Sequence, residues 1–394
     1  MSNDLCDRLS SITISFSAIS NDLCEEIIIE IFSRLPTKSL LRFRTVSKSL
    51  YALIGSPRFI RSHALRSPKR YAITHEVRHQ EHARSLNMYT IHSESQLSSY
   101  AGITPIKYPF GNNRTHIMGS CDGVLCVYDW TMKAFHLWNP SIRRKVTVHE
   151  LPSSDDDVLA FGFFLDPVTH DYKILKMNEA CTTVYAMKTR SWSEIAPPTP
   201  PIGAVTSFQC LFDGSLHWAA GRRTDDRDYC YFILRLDLRS AVFSTVELPE
   251  RCREPRHVTV IKGCLAVICT ESYIHGIFDS FVWVKNTKTG ADGSWSVAFK
   301  VDRRQCWQSA HGDLFFSYYS DGYYSDGILV FNPETKSKVR SKVSNLKGVY
   351  FSCILDMCMF TESLGLLDVG RSCDMIRWNK SSKRNKRGRR VGFS

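Results

Sequence analysis

The sequence lacks the short motifs that mark the common kinds of active site and metal site. It contains no G-x-x-x-x-G-K-[ST] phosphate loop, no G-x-G-x-x-G dinucleotide turn and no H-E-x-x-H zinc helix. None of its 14 cysteines forms a C-x-x-C pair. Three pairs are five residues apart, in apolar runs without a matching histidine pair: Cys121 and Cys126, Cys264 and Cys269, and Cys353 and Cys358. No acid, base and nucleophile come together, so we expect no enzyme activity, no cofactor and no metal.

Long hydrophobic runs are also missing. No segment approaches the roughly 18–20 apolar residues that a membrane span needs, and the N-terminal residues carry acids where a secretory signal needs bases. Apolar residues still make up 43% of the 394 residues and aromatic residues 12%, which is enough for a sizeable core in two or three domains. The expectation is a soluble intracellular protein with free thiols and no membrane partner.

The formal net charge of +12 is concentrated at the C-terminus. Seven positive charges lie close together there, on Lys380, Lys383, Arg384, Lys386, Arg387, Arg389 and Arg390, and without them the net charge falls to about +5. The cluster of Lys383, Arg384, Lys386 and Arg387 indicates nuclear localisation, although a nucleic-acid patch and an unselective solvated tail fit the same composition. We expect a disordered tail and a protein found in the cytoplasm and the nucleus.

Two groups of residues resemble weak metal sites. His75, His79 and His82 lie in a basic segment, which we interpret as a solvated linker rather than a metal site. The run 155–157 contains three aspartates that could bind a hard cation, but it follows a Leu-Pro pair and fits a solvated loop better. Trp138 is interpreted as a core aromatic residue, as is the tryptophan at 218.

Residues 19–65 carry a helical pattern. Apolar residues recur four apart at Leu23, Ile27 and Ile31, after a capping residue at Ser20. Proline at 36 ends this helix, because the residue before a proline is pushed out of the α region. The second and third helices have their apolar positions at Leu40, Leu41 and Phe43, and at Val46, Leu50, Leu53 and Ile54.

The helical segment has more apolar surface than it can hide. The third helix is predicted to end at Gly55, and Pro57 to prevent its resumption. Three helices in about 40 residues cannot bury all these side chains against one another. A partner protein would cover the excess, or the helices would pack as a cap on the rest of the chain. Arg42, Arg44 and Lys48 lie mostly off the apolar stripe and are interpreted as a solvated face.

Past residue 86, short apolar runs alternate with Asp-Gly and Asn-Pro turns, which is typical of antiparallel β-structure. Strands that end in a polar turn residue recur at steps of 49, 49, 49 and 46 residues, at Asn139, Lys188, Asp237, Asn286 and Asn332. Hairpin glycines recur at steps of 91, 49 and 49 residues, at Gly123, Gly214, Gly263 and Gly312. The shared period near 49 predicts a β-propeller of kelch-like repeat length with four strands per blade.

The region 86–372 accommodates about six blades of this length. Segments 86–117 and 345–372 would together form the sixth blade and close the ring, which removes free sheet edges. A two-sheet sandwich is the alternative, although a sandwich seldom has such an even repeat. The predicted fold class is therefore α+β multidomain, a small three-helix module followed by an all-β propeller.

The run LPTKSLLRFRTVSKS, residues 35–49, resembles the F-box, the motif that docks onto the Skp adaptor of SCF ubiquitin ligases. The resemblance extends from about Ile19 to Ile60. Two positions depart from the family pattern: Ile19-Ser20 stands where Leu-Pro is usual, and Leu50 stands where tryptophan is frequent.

The second region resembles the F-box-associated domain of plant-type F-box proteins, a kelch-like propeller. The matching pieces are SCDGVLC at 120–126, LWNPS at 137–141, GF at 162–163 with DYK at 171–173, and GSLHW at 214–218. Together the two resemblances imply a substrate-recognition subunit of an SCF-type E3 ligase. The F-box would bind a Skp-family adaptor and, through it, a cullin and a RING subunit, while the propeller captures an unknown protein client for ubiquitination and degradation. Such a subunit catalyses nothing itself and supplies proximity.

These patterns divide the chain into five parts. They are a flexible N-terminus at 1–17, the F-box at 18–65, a linker at 66–85, the propeller at 86–372 and a basic disordered tail at 373–394. We expect the adaptor contact on the apolar side chains of the F-box, namely Leu23, Ile27, Ile31, Leu35, Pro36, Leu40, Leu41 and Val46.

The client contact is expected on one rim of the propeller. Turns between the first two and the last two strands of a blade share one rim, whereas second-to-third loops and inter-blade links share the other. The second rim would collect the longer loops at 219–228, 269–278 and 317–327 and the links at 153–157 and 197–203. Exposed Tyr and Arg are frequent interface anchors. The predicted border of the client site is Arg222, Arg223, Tyr273, Tyr318, Tyr319, Tyr323 and Tyr324, unless these tyrosines simply pack over blade edges.

Two other functions remain possible at this point. A basic nucleic-acid-binding protein would use the helical module and the C-terminal tail, and its binding would fall steeply with salt. Nucleic acid is nevertheless not an expected partner, because the apolar stripe points to a protein contact. A propeller hydrolase would need paired carboxylates or a nucleophile in the central channel, and the sequence offers no such set.

Overall fold

A computed structural model describes the chain from the N-terminal helices to the segment that follows the last strand. The described residues are 25–66, 70–80, 85–93, 104–106, 114–150, 158–179, 181–199, 201–224, 228–274, 277–286, 293–301, 306–308, 314–319, 325–332, 335, 338–342 and 349–367. Only the backbone is described for 70–80, 85–88, 92–93, 104–106, 270–274, 277–280, 301, 306–308, 314–319, 325–330, 338–342 and 349–357. The predicted N-terminal segment 1–17, the acidic run 155–157 and the tail 373–394 lie outside the described residues.

Four helices form the described N-terminal part. They are α1 (Glu25–Phe32), α2 (Thr37–Phe43), α3 (Lys48–Ile54) and α4 (Pro57–Arg66). Pro36 lies between α1 and α2, as its effect on the preceding residue predicts. Ser47 caps α3, because its hydroxyl oxygen accepts a hydrogen bond of 3.2 Å from the backbone N–H of Leu50.

The helical module has one more helix than predicted, because a fourth helix begins at Pro57. Proline is well accepted in the first turn of a helix, where its missing N–H has no intrahelical partner to lose. Ser56 completes the start of α4, since its hydroxyl oxygen accepts a hydrogen bond of 3.2 Å from the N–H of Phe59. The proline that was interpreted as a stop signal is therefore the first residue of α4.

The helices share one apolar core with part of the β-structure. Its buried members from the helices are Ile29, Phe32, Leu40, Leu50, Ile54 and Phe59. Ile142, Leu364 and Leu367 join the same cluster from the region beyond the helices. The rest of the chain thus covers part of the excess apolar surface, as the interpretation of the helices as a cap predicts.

The strands form six antiparallel sheets. Sheet 1 contains β1 (Arg70–Gln80), β2 (Ser85–Ser93), β3 (Thr104–Ile106) and β25 (Val349–Thr361), and sheet 2 contains β4 (Thr115–Cys121), β5 (Val124–Asp129), β6 (Ala134–Asn139) and β7 (Arg144–His149). Sheet 3 contains β8 (Val158–Leu165), β9 (Tyr172–Asn178), β10 (Thr182–Ala186) and β11 (Ser191–Ile195). Sheet 4 contains β12 (Ala204–Val205), β13 (Cys210–Phe212), β14 (Ser215–Arg223), β15 (Tyr229–Asp237) and β16 (Val242–Val246).

The last two sheets complete the series. Sheet 5 contains β17 (Glu254–Ile261), β18 (Cys264–Ile274), β19 (Ile277–Lys285) and β20 (Trp295–Val301), and sheet 6 contains β21 (Cys306–Gln308), β22 (Leu314–Tyr319), β23 (Ser325–Phe331) and β24 (Lys338–Lys342). Side chains are described through most of sheets 2 to 5, whereas sheets 1 and 6 are described mainly by their backbone pairing.

The sheets are arranged as a propeller. Each sheet contacts the first strand of the next sheet, and β25, which contacts β21 and β23 of sheet 6, also contacts β4, so the series returns to its start. Sheet 1 combines β25 with β1, whose register pairs Thr361 with Arg70. A sheet built from both ends of the β-region closes the ring without a free edge between them.

The segment 66–85, predicted as a linker, contains a strand. Arg66 is the last residue of α4, and β1 occupies Arg70–Gln80. His75 and His79 both lie within this strand, four positions apart. His82 lies outside the described residues.

The predicted Asp-Gly hairpins are confirmed. Asp122 and Gly123 join β4 to β5 with φ values of 45° and 71°, and Asp213 and Gly214 join β13 to β14 with 46° and 65°. Positive φ at both central residues defines the tight turn whose twist matches the flanking strands. Gly312 lies outside the described residues.

The propeller core contains the aromatic residues that were predicted to be buried. Trp138 and Trp218 are both buried, Trp138 between β-sheets 1 and 2 and Trp218 between sheets 3 and 4. The indole N–H of Trp218 donates a hydrogen bond of 3.2 Å to the carbonyl oxygen of Phe161, which satisfies its polar atom.

The expectation that all cysteines are free was wrong for one pair. Cys252 and Cys269 form a disulfide, with Cα atoms 5.3 Å apart. Cys264 and Cys269 are five positions apart on β18 and therefore lie on opposite faces of the strand. The link before β17 instead brings Cys252 beside Cys269, which pairs with Pro255 in the neighbouring strand.

The described residues contain neither a membrane-spanning helix nor a metal-binding cluster. No described helix is both long enough and apolar enough to cross a membrane. Within the same residues, no group of three or more His, Cys, Asp or Glu side chains is arranged to hold a metal ion.

Because two histidine side chains are buried, we expect the fold to lose stability in mild acid. Burial lowers the pKa of His136 and of His217 to about 4, compared with about 6.5 in the unfolded chain. Between these values the unfolded state binds more protons, so falling pH favours unfolding. We expect the free energy of unfolding to fall by about 1–2 kcal/mol per imidazole between pH 7.5 and pH 5, measured by urea denaturation. His136→Gln should reduce this pH dependence, and an unchanged dependence would contradict the assignment.

Candidate interaction surfaces

The chain topology places the helices on one rim of the propeller. Only residues 67–69 separate α4 from β1, and an extended connection of that length spans about 14 Å. Arg61 on α4 lies 3.3 Å from His170, measured between Nη1 and Nε2, and His170 belongs to the turn between β8 and β9. We call this rim, which carries the turns at 122–123, 140–143, 166–171, 213–214 and 262–263, the tight-turn rim.

The helix α1 presents apolar side chains to solvent. Ile27 is 47% exposed and Ile31 is 50% exposed. The two residues are one helical turn apart and therefore lie on the same face of α1. Pro36, which follows this helix, is also exposed. These residues form an apolar surface that the rest of the described chain does not cover.

A groove of about 450 Å³ lies between the end of α2 and the start of α3. Its lining residues are Leu41, Arg44, Thr45, Val46, Ser47, Lys48 and Tyr51. The guanidinium of Arg44 lies over the ring of Tyr51, with its central carbon 4.0 Å from the ring centroid. The Arg44 Nε also donates a hydrogen bond of 3.4 Å to the Tyr51 carbonyl oxygen, so this wall of the groove is held in place.

Seven of the eight predicted adaptor residues are described, and they separate into three groups by exposure. Ile27, Ile31 and Pro36 are exposed, whereas Leu35, Leu41 and Val46 are half-buried at the edge of the helical core. Leu40 is wholly buried within that core, where it supports the surface from behind, and its role as an adaptor contact stays a prediction. Leu23 lies outside the described residues. Tyr51, which is 56% exposed beside the groove, was missed by the sequence reasoning.

Polar contacts fix α1 relative to α4. Glu30 forms ion pairs with Arg34 and Arg66. The hydrogen bond from Arg34, and after it the hydrogen bond from Arg66, hold the pKa of Glu30 below its usual value. Nη1 of Arg66 also donates a 3.0 Å hydrogen bond to the Ser33 hydroxyl. Burial lowers the pKa of His63, whose Nε2 lies 3.0 Å from the carbonyl oxygen of Leu35. A neutral imidazole therefore ties α4 to the end of α1.

The rim opposite the helices carries the predicted client residues for which a position is described. We call it the open rim; it carries the connections between the second and third strands of a sheet, such as 130–133 between β5 and β6 and the connection between β14 and β15, and the links between sheets. Arg222 and Arg223 are exposed at the end of β14. Described backbone pairing places Tyr273 near the end of β18, opposite Phe278, and Tyr318 and Tyr319 at the end of β22. Tyr323 and Tyr324 lie outside the described residues.

An aromatic residue on the open rim was missed by the sequence reasoning. Trp130 is 41% exposed and Met132 is 50% exposed in the loop between β5 and β6. The Trp130 ring packs edge-on against Tyr128, with centroids 4.8 Å apart, and the guanidinium carbon of Arg114 lies 6.0 Å from its centroid. The only sequence signal was a tryptophan placed directly after a strand, at the start of a turn.

This loop is held rigidly although its side chains are exposed. Oδ1 of Asp129, a fully buried residue, accepts hydrogen bonds of 2.9 Å and 3.0 Å from the N–H groups of Thr131 and Met132. The N–H of Trp130 donates to the Arg114 carbonyl oxygen at 2.9 Å. An exposed tryptophan on a fixed loop can bind a partner with little loss of conformational freedom.

Comparisons with known families identify both parts of the chain. The F-box domain family matches residues 20–62, and the F-box associated beta propeller domain family matches residues 77–347, more than half of the chain. The chain is an F-box protein with an F-box-associated β-propeller. The predicted resemblance to this family is thereby confirmed, and the propeller match also begins inside the segment once interpreted as a linker.

Known relatives of this F-box protein come from Arabidopsis thaliana. The F-box protein CPR1 is 26% identical over 372 residues, which cover 83% of this chain and 81% of the relative. An F-box/kelch-repeat protein from the same plant is 27% identical over 303 residues, covering 70% of this chain and 78% of the relative.

A solved structure supports the fold of this F-box protein. TolB from Acinetobacter baumannii aligns with a TM-score of 0.50 and 10% identity, covering 77% of this chain and 73% of that one. At this identity the likeness concerns the fold alone.

Proposed function

We propose that this F-box protein is the substrate-recognition subunit of an SCF-type ubiquitin ligase. Its helices bind a Skp-family adaptor and, through it, the cullin and RING subunits. Its propeller, which we infer to have six blades, captures a protein client for ubiquitination. The protein is a receptor without catalytic activity of its own, and it acts by holding the client near the ubiquitin-conjugating enzyme.

The observation that carries this proposal is the placement of two separate surfaces on opposite ends of the propeller. The helices pack on the tight-turn rim through Ile142, Leu364 and Leu367, yet α1 keeps Ile27 and Ile31 exposed. The apolar surface of these exposed isoleucines is removed from water only when a partner covers it. The open rim is left free for a second partner, as a bridging subunit requires.

The client surface combines predicted residues with the aromatic loop. Arg222 and Arg223 are exposed, and no described carboxylate forms an ion pair with either of them. Trp130 and Met132 add exposed apolar area on the same rim. Trp and Arg are the side chains that most often dominate the binding energy of an interface. We therefore place the client site on the open rim, bordered by these residues and by Tyr273, Tyr318, Tyr319, Tyr323 and Tyr324.

The nucleic-acid-binding alternative is not favoured. Several basic side chains of the helices are engaged within the helical module, since Arg34 and Arg66 pair with Glu30, and Arg58 lies 3.5 Å from Glu26. Arg44 is stacked on Tyr51. The helical module therefore does not present these cations as a free basic face for phosphates.

Proximity labelling with the proteasome blocked tests the two surfaces together. The wild-type chain should label a Skp adaptor, a cullin, a RING subunit and a further set of client proteins. Changing Trp130, Arg222 and Arg223 to alanine should reduce labelling of the client set at least about tenfold, because interface anchors of this kind each contribute roughly 1–2 kcal/mol or more. Labelling of the adaptor should stay the same.

A matched variant on the other rim serves as the control. Changing the exposed tight-turn residue Asp213 to alanine should leave both sets of labelled proteins unchanged. Clients that are lost with the change at the exposed Asp213, but kept in the Trp130 and arginine variant, would show that the rims were assigned wrongly. A wild-type chain that labels no adaptor would contradict the ligase function itself.

A further inference from the structure

The segment that follows β25 is buried at the junction of the helices and the propeller. Ser363, Leu364, Leu366 and Leu367 are all buried, with at most 7% exposure, although they belong to no helix or strand. Buried irregular backbone is unusual, because its polar groups need partners that regular structure would otherwise supply. We call residues 361–367 the clasp.

Asn139 supplies most of those partners from the end of β6. Its side-chain amide, fully buried, donates hydrogen bonds to the Ser363 carbonyl oxygen at 3.1 Å, to the Ser363 hydroxyl at 3.2 Å and to the Gly365 carbonyl oxygen at 2.8 Å. Its Oδ1 accepts a hydrogen bond of 2.9 Å from the N–H of Ser141. Nη1 of Arg144 donates to the Leu367 carbonyl oxygen at 2.6 Å. The Asn-Pro turn of sheet 2 is thus a receptor for the clasp.

The fit of the clasp depends on two glycines. A Cβ atom on Gly123, in the hairpin of sheet 2, would lie 2.2 Å from the carbonyl oxygen of Thr361. A Cβ on Gly365 would lie 2.5 Å from the Tyr172 hydroxyl and 2.7 Å from Val124. The backbone of the clasp therefore approaches sheets 2 and 3 more closely than any other residue type would permit.

The three leucines of the clasp point into two different cores. Leu364 and Leu367 pack with the helical residues, among them Leu40 and Phe59. Leu366 packs between sheets 2 and 3, in the cluster that contains Phe163. One short segment thus contributes side chains to the core of the helices and to the core of the propeller.

The backbone of the clasp is held in an unfavourable conformation. Leu366 has a φ of 69°, in the left-handed region that bulky residues avoid. Such a residue persists only where its surroundings determine its conformation, and such residues are concentrated at functional positions. The turn is closed by a hydrogen bond of 3.0 Å from the Leu367 N–H to the Leu364 carbonyl oxygen.

We propose that the clasp fixes the orientation of the F-box helices on the propeller. It positions the adaptor-binding surface relative to the open rim, so that a captured client faces the ubiquitin-conjugating enzyme at a constant distance. Only this consequence rests on the proposed ligase function. The mechanical claim, that Leu364 and Leu367 couple the helices to the propeller while Leu366 does not, stands on the contacts alone.

Hydrogen exchange on the full chain can separate the two halves of the clasp. Changing Leu364 and Leu367 to alanine should speed amide exchange in α4 at least tenfold and leave β5 and β9 unchanged, because these leucines fill only the helical core. The Leu366→Ala variant is a matched control from the same segment. It should speed exchange in β5 and β9 while the helices keep their protection.

Two outcomes would overturn the proposal. Unchanged exchange in α4 of the Leu364→Ala, Leu367→Ala variant would show that the helices do not depend on the clasp. Equal acceleration of all elements in both variants would show that Leu364 and Leu367 have no effect on the helices separate from that of Leu366 on the propeller, which contradicts the mechanical claim. Repeating the exchange with a Skp adaptor added keeps the ligase question separate, since a wild-type chain that binds no adaptor would contradict the proposed function and leave the coupling result intact.

Discussion

Replacing Ile27 and Ile31 together with aspartate is expected to weaken binding to a Skp-family adaptor at least about 100-fold. Both side chains are about half exposed on α1, so they contribute little to the helical core. Covering the exposed half of an isoleucine side chain stabilises a contact by roughly 1–1.5 kcal/mol, and a carboxylate in the same place adds a cost of desolvation. Isothermal titration of the full-length variant against the adaptor measures the change.

A double variant on the propeller controls for added charge. Val242 and Val297 are 58% and 48% exposed, on the outer strands β16 and β20. Changing both to aspartate introduces the same charge at similar exposure, away from the helices, and should leave the affinity for the adaptor within about twofold. Equal losses in both double variants, or undiminished binding after the change on α1, would contradict the adaptor surface described above.

Replacing Leu40 with aspartate is expected to unfold the helices rather than to disturb a contact. Leu40 is 0% exposed in the core that the helices share with the clasp. A charge placed there without a partner costs several kcal/mol, and a unit of about 40 residues has little stability to spare. Amide exchange in α1 to α4 should approach the rate of an unfolded chain, while the central strands of sheets 2 to 4 stay protected.

Leu41 offers a control from the next position in the chain. It is half-buried and lines the groove beside Tyr51, so Leu41→Asp should keep the helices folded and weaken adaptor binding. If Leu40→Asp instead kept its helical protection and lost only adaptor binding, the original prediction of Leu40 as a contact would be right and its assignment to the core wrong.

The sequence predicted where helices α2 and α3 lie better than it predicted where helices begin or which of their side chains are buried. Apolar spacing located α2 and α3, and Ser47 caps α3. Pro57 was misjudged because proline both ends helices and begins them, and only the preceding Ser56 distinguishes the two cases. Helical periodicity also cannot tell which side of a helix the rest of the chain covers, and this is why Leu40 was placed among the contacts.

The repeat period was sufficient to predict a propeller, and the Asp-Gly turns behave as expected. The strand β1 was missed because its alternating residues contain histidines and arginines, which read as a solvated linker. The clasp could not be predicted, since it has no periodicity and its role depends on Asn139, which is 224 residues away from Ser363 in the chain. Long-range contacts of this kind leave no local signal in a single sequence.

The sequence suggested only some residues of the proposed client surface. Arg222 and Arg223 were chosen as part of a predicted loop at 219–228, although the structure places them at the end of β14, whereas Trp130 stands alone after β5. Its exposure follows from the turn that Asp129 stabilises, which is visible only once strand register is known.

Size-exclusion chromatography with light-scattering detection, applied to the full-length chain mixed with a purified Skp-family adaptor, tests the central proposal most directly. The helical surface with Ile27 and Ile31 exposed predicts a single complex that contains one copy of each protein, and the Ile27→Asp, Ile31→Asp variant should elute as the uncombined chain. Two separate peaks for the wild-type chain and the adaptor, at concentrations well above micromolar, would contradict the assignment of this protein to a ubiquitin ligase.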